Sequence, residues 1–357
     1  MSKEKIFKAP KAGRIAKATG VYLWKYITRQ PMIFNLNLNV TNLCNQNCPM
    51  CNAVIVGKGT GNTITFDQVK EYIDILKPHK IASLTISGGE PSIVKEMPEI
   101  FDYVADKFPF GVNCNSNLYA QESVIRRFAE GALRNDIRIG TSFDGFGATA
   151  DKLRGAKDVS ERVTKNIEMI TEMRKEMKSG STLNMHTVIS DQNIDEIPDI
   201  LALSEKYGWT QTLAPVNNFF YQDASDPNTP KLHYSDKLEK VIALAATKSN
   251  VAVSKDFLLN IPRYIKGETD KYCPYLTGLF KIYKIFLDPN GDLSLCSREP
   301  IGNITESSVS EMLKGDRYKK DLKGYMCCPG CWMACFVEIL LATPKFYQRM
   351  IVNQHCD

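Results

Sequence analysis

The sequence predicts an α/β fold, a parallel sheet wound as a partial (βα)6 barrel, with a small α+β unit behind it. From residue 33 to about 217, strand-like and helix-like segments alternate through six units. That pattern belongs to parallel strands joined by right-handed helical crossovers. Six units, where a closed barrel has eight, leave one side open for a substrate. The two densest motifs of this stretch each follow a predicted strand, the end at which α/β barrels carry their chemistry. A second group of cysteines lies beyond residue 269, after a polar linker.

The first strand, IFNLNLNV at 33–40, alternates apolar and amide side chains. The others are expected at 81–87, 110–115, 137–143, 182–189 and 210–216. The first helix, TFDQVKEYIDILK at 65–77, opens with Thr65 and Gln68 at capping-box spacing and carries an apolar stripe of Val69, Ile73 and Leu76. Further helices are expected at 94–107, 120–133, 159–178 and 194–207. Gly208 closes the last of these, because glycine accepts the left-handed backbone of a helix C-terminus. Residues 218–232, mostly polar with two prolines, read as a linker, and helices at about 234–248 and 256–266 follow. The domain plan is an arm at 1–31, a barrel at 32–217, a linker with helices at 218–268 and an auxiliary unit at 269–357.

Composition sets the outer bounds. At 357 residues the chain exceeds one ordinary domain. Its 43% hydrophobic and 24% charged residues are those of a globular protein. No run approaches the ~18 apolar residues that a membrane-spanning helix needs. The N-terminal segment lacks the apolar core and small-residue cleavage site of a secretory signal. Eleven cysteines, an odd number grouped at ligand spacing, favour metal binding over disulfides, so a reducing, cytoplasmic location is expected. The net charge of +5 is uneven: residues 1–30 hold eight cationic side chains against Glu4 alone, a net +7, and the remaining 327 sum to −2. The body of the protein therefore offers no nucleic-acid-binding face.

The most informative residues are Cys44, Cys48 and Cys51 in TNLCNQNCPMCNA, a C-x3-C-x2-C loop directly after the first strand. Thiolates are soft ligands, suited to iron–sulfur clusters, zinc or Cu(I). Three of them can hold three corners of a four-iron cube and leave the fourth iron open. An open corner is wasted on a simple electron carrier but useful to a catalyst, so the loop points to an enzyme. A second motif, Gly88-Gly89-Glu90-Pro91, follows the next predicted strand.

Together these motifs resemble the radical S-adenosylmethionine (SAM) superfamily, in which a C-x3-C-x2-C loop follows the first strand of a partial TIM-like barrel. The resemblance implies a 4Fe-4S cluster on Cys44, Cys48 and Cys51, with SAM bound to its open iron through amino and carboxylate groups. It also implies that Gly88, Gly89, Glu90 and Pro91 form the segment that contacts the SAM amino group. Met50 departs from the family, which usually has an aromatic residue there beside the adenine. Asn115 and Asn117, in NCNSN at the end of the third strand, match a family turn near the ribose and carboxylate; a plain polar loop is the alternative. Ser142 and Asp144 in TSFDG, with Arg154-Gly155, resemble the S-x-D-G and R-G pattern of relatives that carry a second cluster. There the Ser/Asp pair lies near the ribose, and the arginine fork suits the SAM carboxylate. Cys114 reads as a buried small hydrophobe. One of Asn184 and His186, on the fifth strand, is expected to face the barrel, with His186 a structural group.

The C-terminal pattern is Cys273, then Gly291-x4-Cys296, then Cys327-Cys328-x2-Cys331-x3-Cys335, and Cys356. Pro289-Asn290-Gly291 supplies a hairpin turn, and a helix is expected from about 306. The arrangement resembles the Twitch or SPASM auxiliary-cluster domains. A two-cluster SPASM domain needs a further x5 segment that is missing here, so one auxiliary 4Fe-4S cluster is implied. Its ligands would come from Cys273, Cys296, Cys328 and Cys331, with Cys335 competing and Cys327 and Cys356 spare. A zinc knuckle of four thiolates is the alternative. Sulfatase-maturating relatives have an Asp base after the G-x4-C cysteine; here Ser297-Arg298-Glu299 follow, which argues against that role.

The basic, partly aromatic arm can lie on an anionic membrane surface or cover the open end of the barrel. The implied function is reductive cleavage of SAM to a 5′-deoxyadenosyl radical, driven by ferredoxin or flavodoxin, and hydrogen abstraction from a substrate. A net oxidation or bond formation assisted by the auxiliary cluster is preferred, with a peptide, small molecule or lipid as substrate. The alternatives are an iron–sulfur electron-transfer protein and a zinc-stabilised binding module.

Overall fold

The computed structural model describes residues 19–21, 23–25, 28, 33–51, 61–217, 229–269, 284–296, 299–326 and 330–341. Six parallel strands follow one another in chain order: β1 (Asn35–Asn39), β2 (Ser83–Ser87), β3 (Val112–Ser116), β4 (Arg138–Ser142), β5 (Leu183–Ile189) and β6 (Thr210–Pro215). Between them lie α1 (Phe66–Leu76), α2 (Met97–Val104), α3 (Glu122–Arg134), α4 (Gly147–Arg154), α5 (Val159–Glu176) and α6 (Ile197–Tyr207). Every predicted strand and helix of the barrel is present with its ends displaced by a few residues at most; α4 was not predicted.

Local chemistry explains the boundaries. Thr65 caps α1: its hydroxyl accepts from Gln68 N at 3.2 Å, and Gln68 Oε1 accepts from Thr65 N at 2.9 Å. Gly208 ends α6 in the left-handed region, with φ 69°. The sequence GATADKLR of α4 escaped notice because it buries only Ala150 and Leu153 and has no long apolar stripe.

Successive strand residues point to opposite faces, and here the two faces differ in chemistry. The outer set, including Leu36, Leu38, Leu84, Ile86, Ile139, Met185 and Leu213, is buried under the helices. Phe101 of α2 and Phe128 of α3 meet edge-on in that layer, with centroids 5.3 Å apart. The inner set is polar: NLNLN, SLTIS, VNCNS and TQTLA each turn amides or hydroxyls inward. Most of these inner residues are half-buried, not sealed. A closed α/β barrel fills that face with branched apolar side chains; this half-barrel keeps a polar hollow.

Downstream come α7 (Asp236–Thr247), α8 (Lys255–Leu259), α9 (Ile261–Ile265), β7 (Lys284–Leu287), β8 (Asp292–Ser294), β9 (Gly302–Asn303), α10 (Val309–Met312), α11 (Asp316–Met326) and α12 (Ala334–Leu341). The helix expected over 256–266 is broken at Asn260, where Pro262 opens α9. The helix expected from 306 starts at Val309, behind a capping box of Ser308 and Glu311. The predicted hairpin is formed by β7 and β8, with Gly291 at φ 88° in its turn. Its first strand pairs in parallel with β1. The auxiliary hairpin thus extends the barrel sheet, giving the order β6-β5-β4-β3-β2-β1-β7-β8-β9. Adding β7 also covers the edge of β1, which an exposed strand would leave open to aberrant pairing.

Of the basic arm, Lys25 is seen donating from Nζ to His79 O at 3.1 Å, at the end of the barrel away from the strand C-termini. No helix among the described residues is long and apolar enough to cross a membrane.

Because Leu84 is 1% exposed in a central strand, Leu84→Ala should cost about 2–5 kcal/mol in urea denaturation. A cost under ~1 kcal/mol would mean that the helical layer does not pack on β2 as described.

Candidate active site

The loop that runs from Thr41 to Cys51 hangs from the upper end of β1. The end of β2 presses against it: Gly89 N donates to Thr41 O at 2.6 Å and Glu90 N to Leu43 O at 2.8 Å. A Cβ on Gly89 would lie 1.9 Å from Leu43 O, so glycine is required there by space. From the other side, Asn47 N donates to Arg154 O at 3.1 Å. Gly155, at φ 58°, passes so close that a Cβ would stand 2.2 Å from Asn47 O. Cys51 N closes a turn onto Cys48 O at 3.1 Å. In this clamped loop Cys48 is buried, and Cys44 and Cys51 are half-buried.

Glu90 fixes the loop from within. Its carboxylate is buried and accepts from the Ser116 hydroxyl at 2.5 Å, Asn117 N at 2.6 Å and Ser92 N at 2.9 Å. Burial raises the Glu90 carboxyl, and the three donors oppose that rise. Asn117, held this way, sends Nδ2 to Asn45 Oδ1 at 2.7 Å and to within 3.8 Å of Cys44 Sγ. Pro91 begins the short turn that follows. Met50 packs against the core.

A second clamp joins the fourth strand to the same loop. Asp144 is buried, accepts from Val188 N at 2.8 Å and forms an ion pair with Arg154. Burial raises its carboxyl, against the pull of Arg154. Arg154 Nη1 stands 3.9 Å from Cys48 Sγ, while its buried Nε has no hydrogen-bond partner among the described residues. Burial pushes the Cys44 thiol up to about 11 and raises that of Cys48, which Arg154 partly offsets. A metal or cluster must therefore displace protons when it binds here.

Below this rim, Ser142 lies in register with His186, and Asn115 with Gly140. Asn115 Oδ1 accepts from Asn113 at 3.0 Å. Asn184 and His186 share one face of β5, so both point into the hollow, with Asn184 Nδ2 at 3.0 Å from His186 Nε2. Cys114 faces the other way and is fully buried, as expected of a small hydrophobe.

The donor set fits a thiolate-held cluster. Three soft ligands share one loop, N–H groups approach two of the sulfurs, and a buried guanidinium N–H is unpaired beside them. Among the described residues, no three Cys, His, Asp or Glu side chains converge on one ion; a cube spreads its thiolates over separate irons.

In the C-terminal unit, Cys296 is buried at the end of β8, Cys331 is half-buried, and Cys335 is exposed on α12. Cys273 and Cys328, with Cys327 and Cys356, lie outside the described residues. Trp332, beside Cys331, anchors this segment: it stacks on Phe257 at 5.6 Å and Tyr264 at 5.5 Å, and Nε1 donates to Phe257 O at 3.0 Å. Glu299 is exposed and paired with Arg317. Cavities of about 220 Å³ beneath α1 and about 430 Å³ between α7 and α9 lie away from the cysteine loop.

Comparison with known proteins agrees with this geometry. Residues 38–204 match the radical SAM superfamily, and residues 280–335 match the SPASM iron–sulfur cluster-binding domain. The chain belongs to the radical SAM superfamily and carries an auxiliary-cluster domain of the SPASM/Twitch kind. With that membership come a 4Fe-4S cluster, SAM and an auxiliary iron–sulfur cluster as cofactors. Among curated proteins it is similar to the Fe-coproporphyrin III synthase of Methanosarcina barkeri, 27% identical over 168 residues, 47% of this chain and 40% of that one. It is also similar to the sporulation killing factor maturation protein SkfB of Bacillus subtilis, 27% identical over 165 residues, 46% of this chain and 38% of that one. The matched stretch thus spans about two fifths of these relatives. In three dimensions it resembles Streptococcus suis SuiB bound to its precursor peptide SuiA (TM-score 0.62, 14% identity, 96% of this chain and 81% of that one). Native anSMEcpe with bound AdoMet gives a TM-score of 0.59 at 14% identity, covering 90% and 89%.

Three features escaped the sequence reading: Asp144 as the partner of Arg154, Asn117 against Cys44, and Trp332 as an anchor. Only the last left a signal, a tryptophan next to a ligand-spaced cysteine.

Two outcomes are expected. Gly89→Ala should lose most iron from the loop on anaerobic reconstitution while retaining far-ultraviolet helix content; full iron would mean that the close approach is dispensable. His186 is held neutral by burial, and by the charge of Arg154, with its pKa lowered to about 4. The folded ring binds a proton less readily than the unfolded chain, so this contribution is complete above 6.5 and is lost as pH falls toward about 4. Carbon-13 histidine spectra, assigned with His186→Gln, should show a ring still neutral at mildly acidic pH, and titration at the ordinary value would refute its burial.

Proposed function

We propose that this protein is an enzyme that reductively cleaves SAM and takes a hydrogen atom from a substrate held in the barrel hollow. The observation that supports this most is the cysteine loop, clamped between Gly88-Gly89-Glu90 and Arg154-Gly155 directly above that hollow. Cys44, Cys48 and Cys51 would hold the cluster. Gly88, Gly89, Glu90, Pro91, Asn115, Asn117, Ser142 and Arg154 are the proposed surroundings of SAM. When bound, cluster and SAM supply a one-electron cleavage of the sulfonium that yields methionine and a 5′-deoxyadenosyl radical.

The chain's own part is to position and to shield. Asp144 holds Arg154 where its unpaired Nε can meet a carboxylate. Glu90 acts through Asn117, since its own oxygens are occupied by protein donors. The helices and strand ends around the loop keep water from a reactive intermediate.

The auxiliary cluster, on ligands drawn from Cys273, Cys296, Cys328, Cys331 and Cys335, would accept an electron from the substrate radical, making the net reaction an oxidation or a bond formation. A ferredoxin or flavodoxin would supply the first electron. The basic arm, with Leu23 and Trp24 exposed beside Lys25, is the surface for peripheral membrane contact. Relatives named as a PqqA peptide cyclase and an AdoMet-dependent heme synthase support both peptide and small-molecule substrates.

Anaerobically reconstituted protein should be brown, carry about eight irons and release 5′-deoxyadenosine from SAM on reduction. Cys44→Ser, Cys48→Ser or Cys51→Ser should each abolish that release. Iron without nucleoside release would leave an electron carrier, and a colourless, zinc-loaded protein a binding module; either result overturns the proposal.

A further inference from the structure

We infer that Asn117 is a positioning residue of the cysteine loop, whose side-chain amide donates to Cys44 Sγ and so raises the reduction potential of a cluster held there. This rests on the cluster placement proposed above and adds a residue that sets how readily that cluster takes up its electron.

Protein contacts alone fix where Asn117 stands. Its main-chain N–H donates to Glu90 Oε2 at 2.6 Å, and that buried carboxylate also accepts from Ser116 and Ser92. The side-chain Oδ1 accepts from Tyr119 N at 3.0 Å. A backbone N–H can only donate, so this contact decides which way the amide faces: oxygen toward Tyr119, nitrogen toward the loop. Nδ2 stands 2.7 Å from Asn45 Oδ1 and 3.8 Å from Cys44 Sγ. An amide nitrogen carries two N–H groups, one for each of these acceptors. Because Asn117 is buried, an N–H that lost its acceptor would have no water to replace it.

The loop has other braces. Thr41 O and Leu43 O accept from Gly89 N and Glu90 N, and Asn47 N donates to Arg154 O. Removing the Asn117 amide leaves those clamps in place, so its effect on the sulfur can be read apart from the shape of the loop.

The sign follows from charge. Asn117 lies between the Glu90 carboxylate and the sulfur of Cys44, and it donates to both. An electron taken up by a thiolate-held cluster adds negative charge in a partly buried place. Hydrogen bonds to charged acceptors are the stronger kind, so a donor at the sulfur favours the reduced form. Loss of Asn117 Nδ2 therefore makes reduction harder. Arg154 Nη1, 3.9 Å from Cys48 Sγ, acts in the same sense on the second thiol.

Two variants test this after anaerobic reconstitution. Asn117→Leu removes the donor, whereas Asn45→Ala removes the amide's other acceptor and leaves Cys44 its donor. The loop's cluster is identified by the electron paramagnetic resonance signal that Cys48→Ser lacks, and it is titrated without SAM. In Asn117→Leu the ratio of reduced to oxidised cluster at a fixed potential should fall about tenfold, a downward shift of about 59 mV for one electron. Its Fe–S(Cys) stretching bands in resonance Raman spectra should move to higher frequency. Asn45→Ala should change neither. An unchanged or raised potential in Asn117→Leu, or an equal shift in both variants, would overturn the inference and leave Asn117 a loop brace. If Asn117→Leu takes up no iron, pulsed electron paramagnetic resonance of protein labelled with nitrogen-15 in asparagine side chains carries the test. A side-chain nitrogen coupled to the reduced loop cluster, and retained in Asn45→Ala, supports the inference; no such coupling overturns it. Release of 5′-deoxyadenosine is measured on the unsubstituted protein. Its absence sinks the proposed function while the potentials still judge Asn117, and release without the shift sinks only the role of Asn117.

Discussion

Glu90 accepts three hydrogen bonds where water cannot replace its partners, and the geometry of the upper rim follows from that constraint. A buried carboxylate is tolerated only when its lone pairs are filled, so the ends of β2 and β3 are held at fixed separation. Asn117, one of the donors, then reaches the cysteine loop. The glycines before Glu90 complete the arrangement by letting backbone touch backbone. The loop that carries the thiols is therefore shaped by groups that lie outside it.

The ion pair of Asp144 and Arg154 imposes a parallel constraint from the other side. Buried pairs seldom add much stability, because desolvation offsets their attraction. Their use here is directional: the guanidinium cannot leave Asp144 without stranding a buried charge, so it stays beside Cys48. Two buried carboxylates thus orient two N–H donors toward two of the three sulfurs. Hydrogen bonds to the sulfurs are among the means by which a protein sets a cluster's potential.

The sheet has opposite chemistry on its two faces. Its outer face is sealed by helices, and its inner face is a polar hollow that six strands cannot close. Recruiting β7 to β1 attaches the auxiliary hairpin to the same sheet. Placing Cys296, just after β8, on an extension of the barrel sheet, with Trp332 stacked on Phe257 and Tyr264 beside Cys331, keeps these cysteines and the Cys44–Cys51 loop on one framework.

Much of the plan was legible in the residues. The capping box of Thr65 and Gln68, the apolar stripe of Val69, Ile73 and Leu76, and the glycine after α6 are local signals, and local hydrogen bonding enforces them. The cysteine spacing and Gly88-Gly89-Glu90-Pro91 were equally plain, because ligand geometry and close backbone contact restrict which residues can stand there. What the chain could not reveal by itself was pairing across distance: Asp144 with Arg154, Glu90 with Asn117, and β7 with β1. Those contacts join residues far apart in sequence, and only the register of neighbouring strands and the packing of their ends bring them together.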